Sequence, residues 1–346
     1  MKRFFVLVGL VLTLLTACQT KNTDGLTVTK TPLTRTESLL HTVVTLSIYH
    51  EGLEEVMEEA LAEIAELESL LSTNLETSDI YKINQAAGKE AIKVDSRTFS
   101  LIEEAIEVSK TSQGRFDISI GAISQLWRIG STEARKPSDE EITEGLNHID
   151  YRKIELDKTN QTVKIPAGMI LELGAISKGF IADQIRNLFV KKGITTAVIN
   201  LGGNVIVMGS SPNNPDGWKI GVQDPDEIRG ATVGSVLQTD SSIVTSGIYE
   251  RYLEVDGVRY HHILNPKTGY PIDNSISGVT VFTKSSTQAD ALSTSLFVMG
   301  LEEGLAHINQ LDDAEAVFVD KDHGVHVSDG LKNTFELSNE EYHLAN

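Results

Sequence analysis

The chain has 346 residues, 40% of them hydrophobic, and a formal net charge of −19 at pH 7. Its length allows one large domain or two small ones, and its acidic balance argues against binding nucleic acid or anionic lipid through charge. A phosphate ligand would therefore need local basic groups, metal ions or backbone amides. Cys18 is the single cysteine, so the chain forms no internal disulfide.

The N-terminal segment has the features of a bacterial secretory signal. Lys2 and Arg3 precede an apolar run over residues 4–15, and Cys18 follows the small residue Ala17. A membrane-spanning helix needs about 20 apolar residues, more than this run provides. A cysteine directly after such a junction is typical of a lipobox, in which the thiol is acylated. The alternative interpretation is an ordinary signal peptide with a chance cysteine.

These features predict three regions along the chain. Residues 1–17 would be a signal peptide, and Cys18 would become the lipidated first residue of the mature protein. Residues 18–36 are rich in Thr, Lys, Asn and Asp and are predicted to be a flexible tether. Residues 37–346 would form the functional domain. We therefore expect a protein lipid-anchored to the cell membrane and facing outside the cytoplasm, either at the outer cell surface or in a periplasm.

Apolar periodicity predicts mixed secondary structure. The first half of the chain is expected to form a strand over residues 42–49 and helices over residues 53–71, 98–112 and 176–192. The later half is predicted to contain two helices, over residues 288–299 and 301–311, and strands over residues 196–201, 205–208, 219–223, 251–255, 258–263, 278–283, 315–320 and 324–328. Because these elements do not alternate as regular βαβ units, we predict an α+β fold.

Asp290 and Thr294 lie one helical turn apart in the predicted helix over residues 288–299, so their side chains share one face. A carboxylate and a hydroxyl placed in this way can bind one Mg²⁺ ion, which prefers oxygen ligands. On spacing alone, the simpler interpretation is a charge at the start of a helix followed by a neutral helix residue.

Two glycine-rich segments could approach a ligand. Gly174-Ala175 precedes a predicted helix whose first amides favour phosphate, and Lys178 in its first turn opposes the helix dipole unless an anion is near. A surface lysine after a glycine turn is equally consistent with this pattern. Gly202-Gly203 allows close approach of the backbone to a ligand, but a plain turn between strands is the simpler interpretation.

His261 and His262 leave a predicted strand, in which adjacent side chains point to opposite faces. Only one of them can face a shared pocket, which argues against a metal site built from both. One histidine could orient a phosphate or transfer a proton. Two half-exposed strand residues are an equally good interpretation of the sequence alone.

Taken together, these segments resemble the ApbE-type FAD:protein FMN transferases, a family of bacterial flavin transferases. The similarity covers about residues 38–329 and follows the order of the family motifs. It includes Leu71-Ser72-Thr73 with Ser78-Asp79-Ile80, then GRFDISIG at 114–121 with Leu126-Trp127, LELGAISKGFIAD at 171–183, INLGGN at 199–204, TSGIYER at 245–251, HHILNPKTGYP at 261–271 and ADALSTSLFVMG at 289–300.

The resemblance implies a single compact α+β body with its active site in a central cleft, and it implies a reaction. FAD is cleaved at its pyrophosphate, FMN is transferred through its phosphate to a Thr or Ser hydroxyl of an extracytoplasmic acceptor protein, and AMP leaves. Mg²⁺ would be the cofactor, with FAD as the substrate, and phosphoryl transfer of this kind depends on positioning and charge neutralisation. The family suggests an electron-transfer protein as the acceptor.

The same resemblance assigns site residues. Asp290, Thr294 and the carbonyl of Ala175 would bind the metal, and His262, Asp290 and Lys178 would be catalytic. The FAD contacts carried over from the family motifs are Leu40, Asn74, Arg115, Phe116, Asp117, Glu172, Lys178 and Leu264. Many relatives have Met-Gly-Thr in place of Leu40-His41-Thr42, an aromatic residue in place of Asn74, and Asp in place of Glu172.

Two other functions are compatible with these residues. A metal-dependent FAD pyrophosphatase would use water in place of the acceptor hydroxyl and release FMN and AMP. A non-catalytic flavin-binding lipoprotein would bind FAD without chemistry. The metal pair separates the latter from both enzymes, because simple binding does not need Mg²⁺.

Overall fold

The computed structural model describes residues 25–345. The predicted signal peptide, the predicted lipidation site Cys18 and residues 19–24 of the predicted tether lie outside this range. Within it, no helix combines the length and the apolar character needed to cross a bilayer.

The described chain folds into helices and strands that agree with the long periodic segments of the sequence. The helices are α1 Glu54–Leu71, α2 Asp79–Gln85, α3 Ser96–Thr111, α4 Gly121–Trp127, α5 Asp139–Leu146, α6 Ser177–Lys191, α7 Ser286–Met299 and α8 Leu301–Ile308. The strands are β1 Val28–Leu39, β2 Thr42–His50, β3 Ile92–Lys93, β4 Glu155–Asp157, β5 Thr162–Lys164, β6 Ala197–Leu201, β7 Asn204–Met208, β8 Trp218–Gln223, β9 Thr232–Gln238, β10 Ser241–Gly247, β11 Tyr252–Val255, β12 Val258–His261, β13 Ile276–Thr283, β14 Ala314–Asp320, β15 Gly324–Val327, β16 Glu336–Leu337 and β17 His343–Leu344.

A nine-stranded sheet organises the fold, in the order β1-β2-β6-β7-β10-β13-β14-β15-β17. Its strands are antiparallel except for the pair β15–β17. One face packs against helices, where Val279 and Val281 of β13 share a core with Leu296 and Phe297 of α7. The opposite face packs against the small sheet of β8, β9 and β16, where Phe282 meets Val233 and its neighbours. Every residue of β13 is buried, because this strand is covered on both faces. The predicted α+β fold is confirmed.

The prediction of a flexible tether over residues 18–36 is wrong for residues 28–36, because these residues belong to strand β1. This strand pairs with β2 from Leu33 to Leu39, and Val28 pairs again with His50 beyond an irregularity. An edge strand needs backbone hydrogen bonds on one side only and can expose polar residues. Threonine also suits strands through its branched side chain. The polar composition therefore indicates an exposed edge and not a free linker.

Two carboxylates link helices α6 and α7, and each of them binds backbone amides at the start of the other helix. Asp183 of α6 accepts hydrogen bonds from the backbone amides of Ser286 (3.0 Å) and Thr287 (2.9 Å), and from the Thr287 hydroxyl (2.8 Å). Asp290 of α7 accepts a hydrogen bond from the amide of Gly179 in the first turn of α6 (2.9 Å). Helix N-termini have unpaired amides and favour negative charge, so each carboxylate stabilises the start of the other helix.

Replacing Asp183 with Ala should destabilise the protein by about 3 kcal/mol, because the start of α7 loses several hydrogen bonds to a buried charge. Equilibrium urea unfolding would measure the loss. Ser138→Ala, which removes the capping box of the exposed helix α5, is the matched control and should cost about 1 kcal/mol. Equal costs for the two variants would show that the Asp183 contacts contribute no more than an ordinary surface cap.

Candidate functional site

A cleft of about 740 Å³ brings together most of the residues that the family motifs single out. Its walls come from the β1–β2 turn, the segment before α4, the start of α6, the β6–β7 turn, strands β8 to β10, the loop after β12 and helix α7. Of the predicted site residues, those that line it are Leu40, Arg115, Phe116, Asp117, Glu172, Ala175, Lys178, His262, Leu264, Asp290 and Thr294. Its volume is that of an ordinary small-molecule site.

Within residues 25–345, Asn74 is the one predicted site residue that does not line the cleft. It is exposed in the turn after α1, where its backbone amide donates to the hydroxyl of Ser72 (3.1 Å). The structure therefore does not place it with the other predicted FAD contacts.

The predicted metal ligands Asp290, Thr294 and Ala175 all line the cleft. Asp290 is 4% exposed, and one of its carboxylate oxygens is held by the Gly179 amide. Among the described residues, no hydrogen bond engages its other oxygen. The hydroxyl of Thr294 lies one turn later, 3.4 Å from that of Ser246. Residues 25–345 contain no group of three or more His, Cys, Asp or Glu side chains that could bind a metal. One carboxylate, one hydroxyl and the Ala175 carbonyl form a sparse, hard-oxygen set that suits Mg²⁺, which usually keeps water or phosphate ligands.

Gly179 permits the close contact between α6 and α7 that orients Asp290. A Cβ atom at this position would lie 2.8 Å from the Asp290 Cβ and would overlap the carbonyl oxygen of Ser286. Any other residue would push the helices apart and move the carboxylate. Helix packing at the site thus explains Gly179, the second glycine of the segment 171–183.

Lys178 turns into the cleft from the first turn of α6. Its ammonium group donates a hydrogen bond to Oδ1 of Asn204 on β7 (2.9 Å). Lys178 therefore brings a positive charge to the cleft that the metal-ligand candidates also line, and two ammonium protons remain for an anion. The position of Lys178 at a helix N-terminus agrees with a site for a phosphate group.

The two histidines separate as strand geometry requires. His261 is buried away from the cleft, with Nε2 2.7 Å from the carbonyl oxygen of Ile272, whereas His262 lines the cleft. Desolvation in the cleft, with a smaller effect of the nearby Arg251 cation, lowers the pKa of His262 to about 4. The imidazole of His262 is therefore neutral at pH 7 and can accept a proton.

The acidic FAD-contact candidates are themselves held by backbone groups. Asp117 accepts hydrogen bonds from the Ser119 amide (2.8 Å) and the Tyr151 amide (3.2 Å). Glu172 accepts one from the Gly174 amide (3.0 Å). Burial raises the pKa of both carboxyls despite these bonds. Asp117 therefore fixes the loop before α4, and Glu172 fixes the turn that carries Ala175.

The remaining predicted FAD contacts also line the cleft. Arg115 pairs with Glu303 of α8, which holds its guanidinium at the rim. Phe116 is buried in the cleft wall, and Leu264 lies half-buried in the loop after β12. Leu40 occupies the β1–β2 turn with a positive φ of 56°. Phe116, Leu264 and Leu40 supply apolar surface to the cleft.

The structure adds cleft residues that were not predicted as site residues. Arg229, in the loop between β8 and β9, forms an ion pair with Glu250 (2.8 Å) and lines the cleft with Tyr249 and Arg251. Burial raises the pKa of Tyr249 above its usual range. The segment TSGIYER at 245–251 already pointed to three of these residues. Arg229 reaches the site only through the pairing of β8 with β9, which the sequence pattern does not show.

A family model described as the ApbE family matches residues 40–318. The chain belongs to the ApbE family. The predicted family membership is therefore confirmed.

Individual relatives agree with this assignment. The chain is 34% identical to an FAD:protein FMN transferase of Treponema pallidum (strain Nichols), over 86% of this chain and 87% of the relative. It is 39% identical to one of Klebsiella pneumoniae (strain 342), over 77% and 82%. The crystal structure of the ApbE protein from Thermotoga maritima has a TM-score of 0.80 and 32% identity, covering 88% of this chain and 99% of that one. The flavin transferase ApbE from Vibrio cholerae has a TM-score of 0.76 and 27% identity, covering 88% of this chain and 99% of that one.

The neutral state of His262 can be tested directly. NMR of ring-labelled histidine should show His262 neutral from pH 8 to pH 5 and protonated only near pH 4. Arg251→Gln should raise this pKa, because a nearby positive charge is removed, whereas Arg259→Gln on the same hairpin should leave it unchanged.

Since an unfolded histidine takes up its proton near pH 6.5, His262 should lower the free energy of unfolding as pH falls from about 6.5 to 4. Titration of His262 near pH 6.5 in the folded protein would contradict the account.

Proposed function

We propose that the cleft of this FAD:protein FMN transferase binds FAD together with Mg²⁺ and transfers FMN to a Thr or Ser hydroxyl of an extracytoplasmic acceptor protein. The acceptor oxygen bonds to the FMN phosphorus, the bond from that phosphorus to the AMP oxygen breaks, and AMP leaves with the bonding electrons. The relatives' name, FAD:protein FMN transferase, supports the substrate and the protein acceptor. The hard-oxygen set of Asp290, Thr294 and the Ala175 carbonyl supports the metal.

Each residue at the polar centre has a chemical role in this proposal. Asp290, Thr294 and the Ala175 carbonyl would hold Mg²⁺, and the ion would supply charge neutralisation for the diphosphate. Lys178 adds a second positive charge at the same wall and fixes the diphosphate. His262, which lines the same cleft, takes the proton of the acceptor hydroxyl as its oxygen attacks. The proposal rests mainly on the observation that these groups line one cleft. Lys178 and Asp290, for example, are 112 residues apart in the sequence.

The decisive experiment separates transfer from hydrolysis. The domain of residues 25–346 is incubated with FAD, Mg²⁺ and a candidate extracytoplasmic electron-transfer protein, and the acceptor is weighed by mass spectrometry. A covalent FMN increment with release of AMP supports the transferase. Free FMN and AMP with an unmodified acceptor would favour an FAD pyrophosphatase, and unchanged FAD would favour a flavin-binding protein.

Asp290→Ala should reduce FMN transfer by at least about 1,000-fold while FAD binding falls much less, because the only carboxylate among the proposed metal ligands is removed. Transfer is measured by mass spectrometry, and binding by flavin fluorescence. Ser295→Ala, on the same helix with its hydroxyl bonded to the Ala291 carbonyl (2.7 Å), is the matched control and should keep transfer near the wild-type rate. Normal transfer by Asp290→Ala would refute its role in holding the metal.

The predicted lipid anchor gives the proposed reaction a location. A chain acylated at Cys18 would be held at the membrane, outside the cytoplasm. Membrane-attached acceptors would then meet the enzyme at a raised effective concentration. Because β1 begins at Val28, the link between the lipid and the folded body would be about ten residues and not the whole segment 18–36.

Cys18→Ala should lower cellular flavinylation of membrane-attached acceptors without changing transfer by the purified enzyme in solution. Cells with equal amounts of the two enzymes are compared by the flavin fluorescence of acceptor bands. Equal cellular flavinylation would show that the anchor does not contribute to acceptor access.

A further inference from the structure

Asn204 has an unusual environment for a buried amide. It begins strand β7, directly after Gly202-Gly203, and is 2% exposed on the cleft wall. Its Oδ1 accepts the hydrogen bond from Lys178 (2.9 Å). Its Nδ2 is buried and has no hydrogen-bond partner within residues 25–345. An unsatisfied buried donor is costly, so an amide in this state calls for an explanation.

Reversing the amide does not remove the problem. With Nδ2 toward Lys178, two donor groups would face each other, because a lysine ammonium group has no acceptor. The Lys178 contact therefore fixes the amide with its oxygen toward the ammonium group and its N–H groups elsewhere. The unpaired donor and the positive charge are therefore held next to each other by one amide group, and both residues line the cleft.

Lys178 and Gly179 are consecutive, and the Gly179 amide holds Asp290. Asn204 is thus bonded to the residue next to the one that orients the proposed metal ligand. A ligand group that meets the ammonium group, the metal site and a neutral amide donor together must be rich in acceptor oxygens and negatively charged. A diphosphate has this chemistry, whereas a flavin ring or an adenosine lacks the charge.

We propose that Asn204 binds the diphosphate of FAD through Nδ2 and positions Lys178 through Oδ1. This inference rests on the proposed function, since it takes FAD as the substrate. The amide donates one hydrogen bond to a phosphate oxygen and exchanges no proton. It also holds the Lys178 ammonium group in place. Asn204 therefore makes a neutral contact with the diphosphate itself and positions the charged contact that Lys178 makes.

The test compares ligands with and without phosphates. Asn204→Asp keeps an acceptor for Lys178 but removes the donor and adds a negative charge, and Asn204→Ala removes both contacts. Binding of FAD, riboflavin and adenosine to the purified domain is measured by calorimetry. Each variant should bind FAD about 10- to 100-fold more weakly. Riboflavin and adenosine, the two phosphate-free parts of FAD, should bind within about twofold of wild type.

A control variant separates binding from folding. Asn274→Asp removes an amide donor outside the cleft, where Asn274 Nδ2 bonds to the Phe297 carbonyl (2.8 Å). It should lower the melting temperature and leave the preference for FAD over riboflavin unchanged. Loss of riboflavin or adenosine binding equal to the loss of FAD binding, or unchanged FAD binding in both Asn204 variants, would overturn the proposal. A wild-type protein without preference for FAD over riboflavin would instead contradict FAD as the substrate.

Discussion

The contact between Asp290 and the Gly179 amide is the constraint on which the site depends. It holds one carboxylate oxygen at the start of α6 and directs the other toward the cleft, while the missing side chain of Gly179 lets the helices meet. Asp183 makes the reverse contact with the start of α7. Two helices far apart in the chain are thus fixed by their own N-terminal amides, and the proposed metal ligands keep their relative positions without a cluster of acidic residues.

This arrangement explains how an acidic chain can handle an anionic substrate. The net charge is −19, yet the cleft wall carries Lys178, Arg229 and Arg251 together with amides near a helix N-terminus. Many acidic residues lie on exposed helix surfaces such as that of α1. Among the carboxyls at the cleft, Asp117 and Glu172 accept hydrogen bonds from backbone amides of the loops that shape it. Local geometry, and not overall charge, therefore sets the chemistry of the site.

The sequence predicted the long helices well, because their apolar positions repeat clearly: residues 53–71 became α1, and residues 176–192 became α6. It missed β10, whose buried and half-buried serines and threonine give no alternation of polar and apolar residues. The family motifs identified most of the predicted residues that line the cleft. They could not place Arg229, which reaches the site through tertiary pairing, and they assigned to the site Asn74, which lies in an exposed turn. Local patterns predict elements, whereas the positions of loops depend on contacts between distant strands.

The position of the metal tests this account most directly. Crystals of the domain grown with FAD and Mn²⁺, used in place of Mg²⁺, would locate the ion by anomalous scattering. The account predicts one peak bound by the Asp290 carboxylate, the Thr294 hydroxyl and the Ala175 carbonyl, with phosphate oxygens of the substrate completing its coordination. A peak bound elsewhere, such as at Asp224 and Asp226, or bound FAD with no ion beside Asp290, would contradict it.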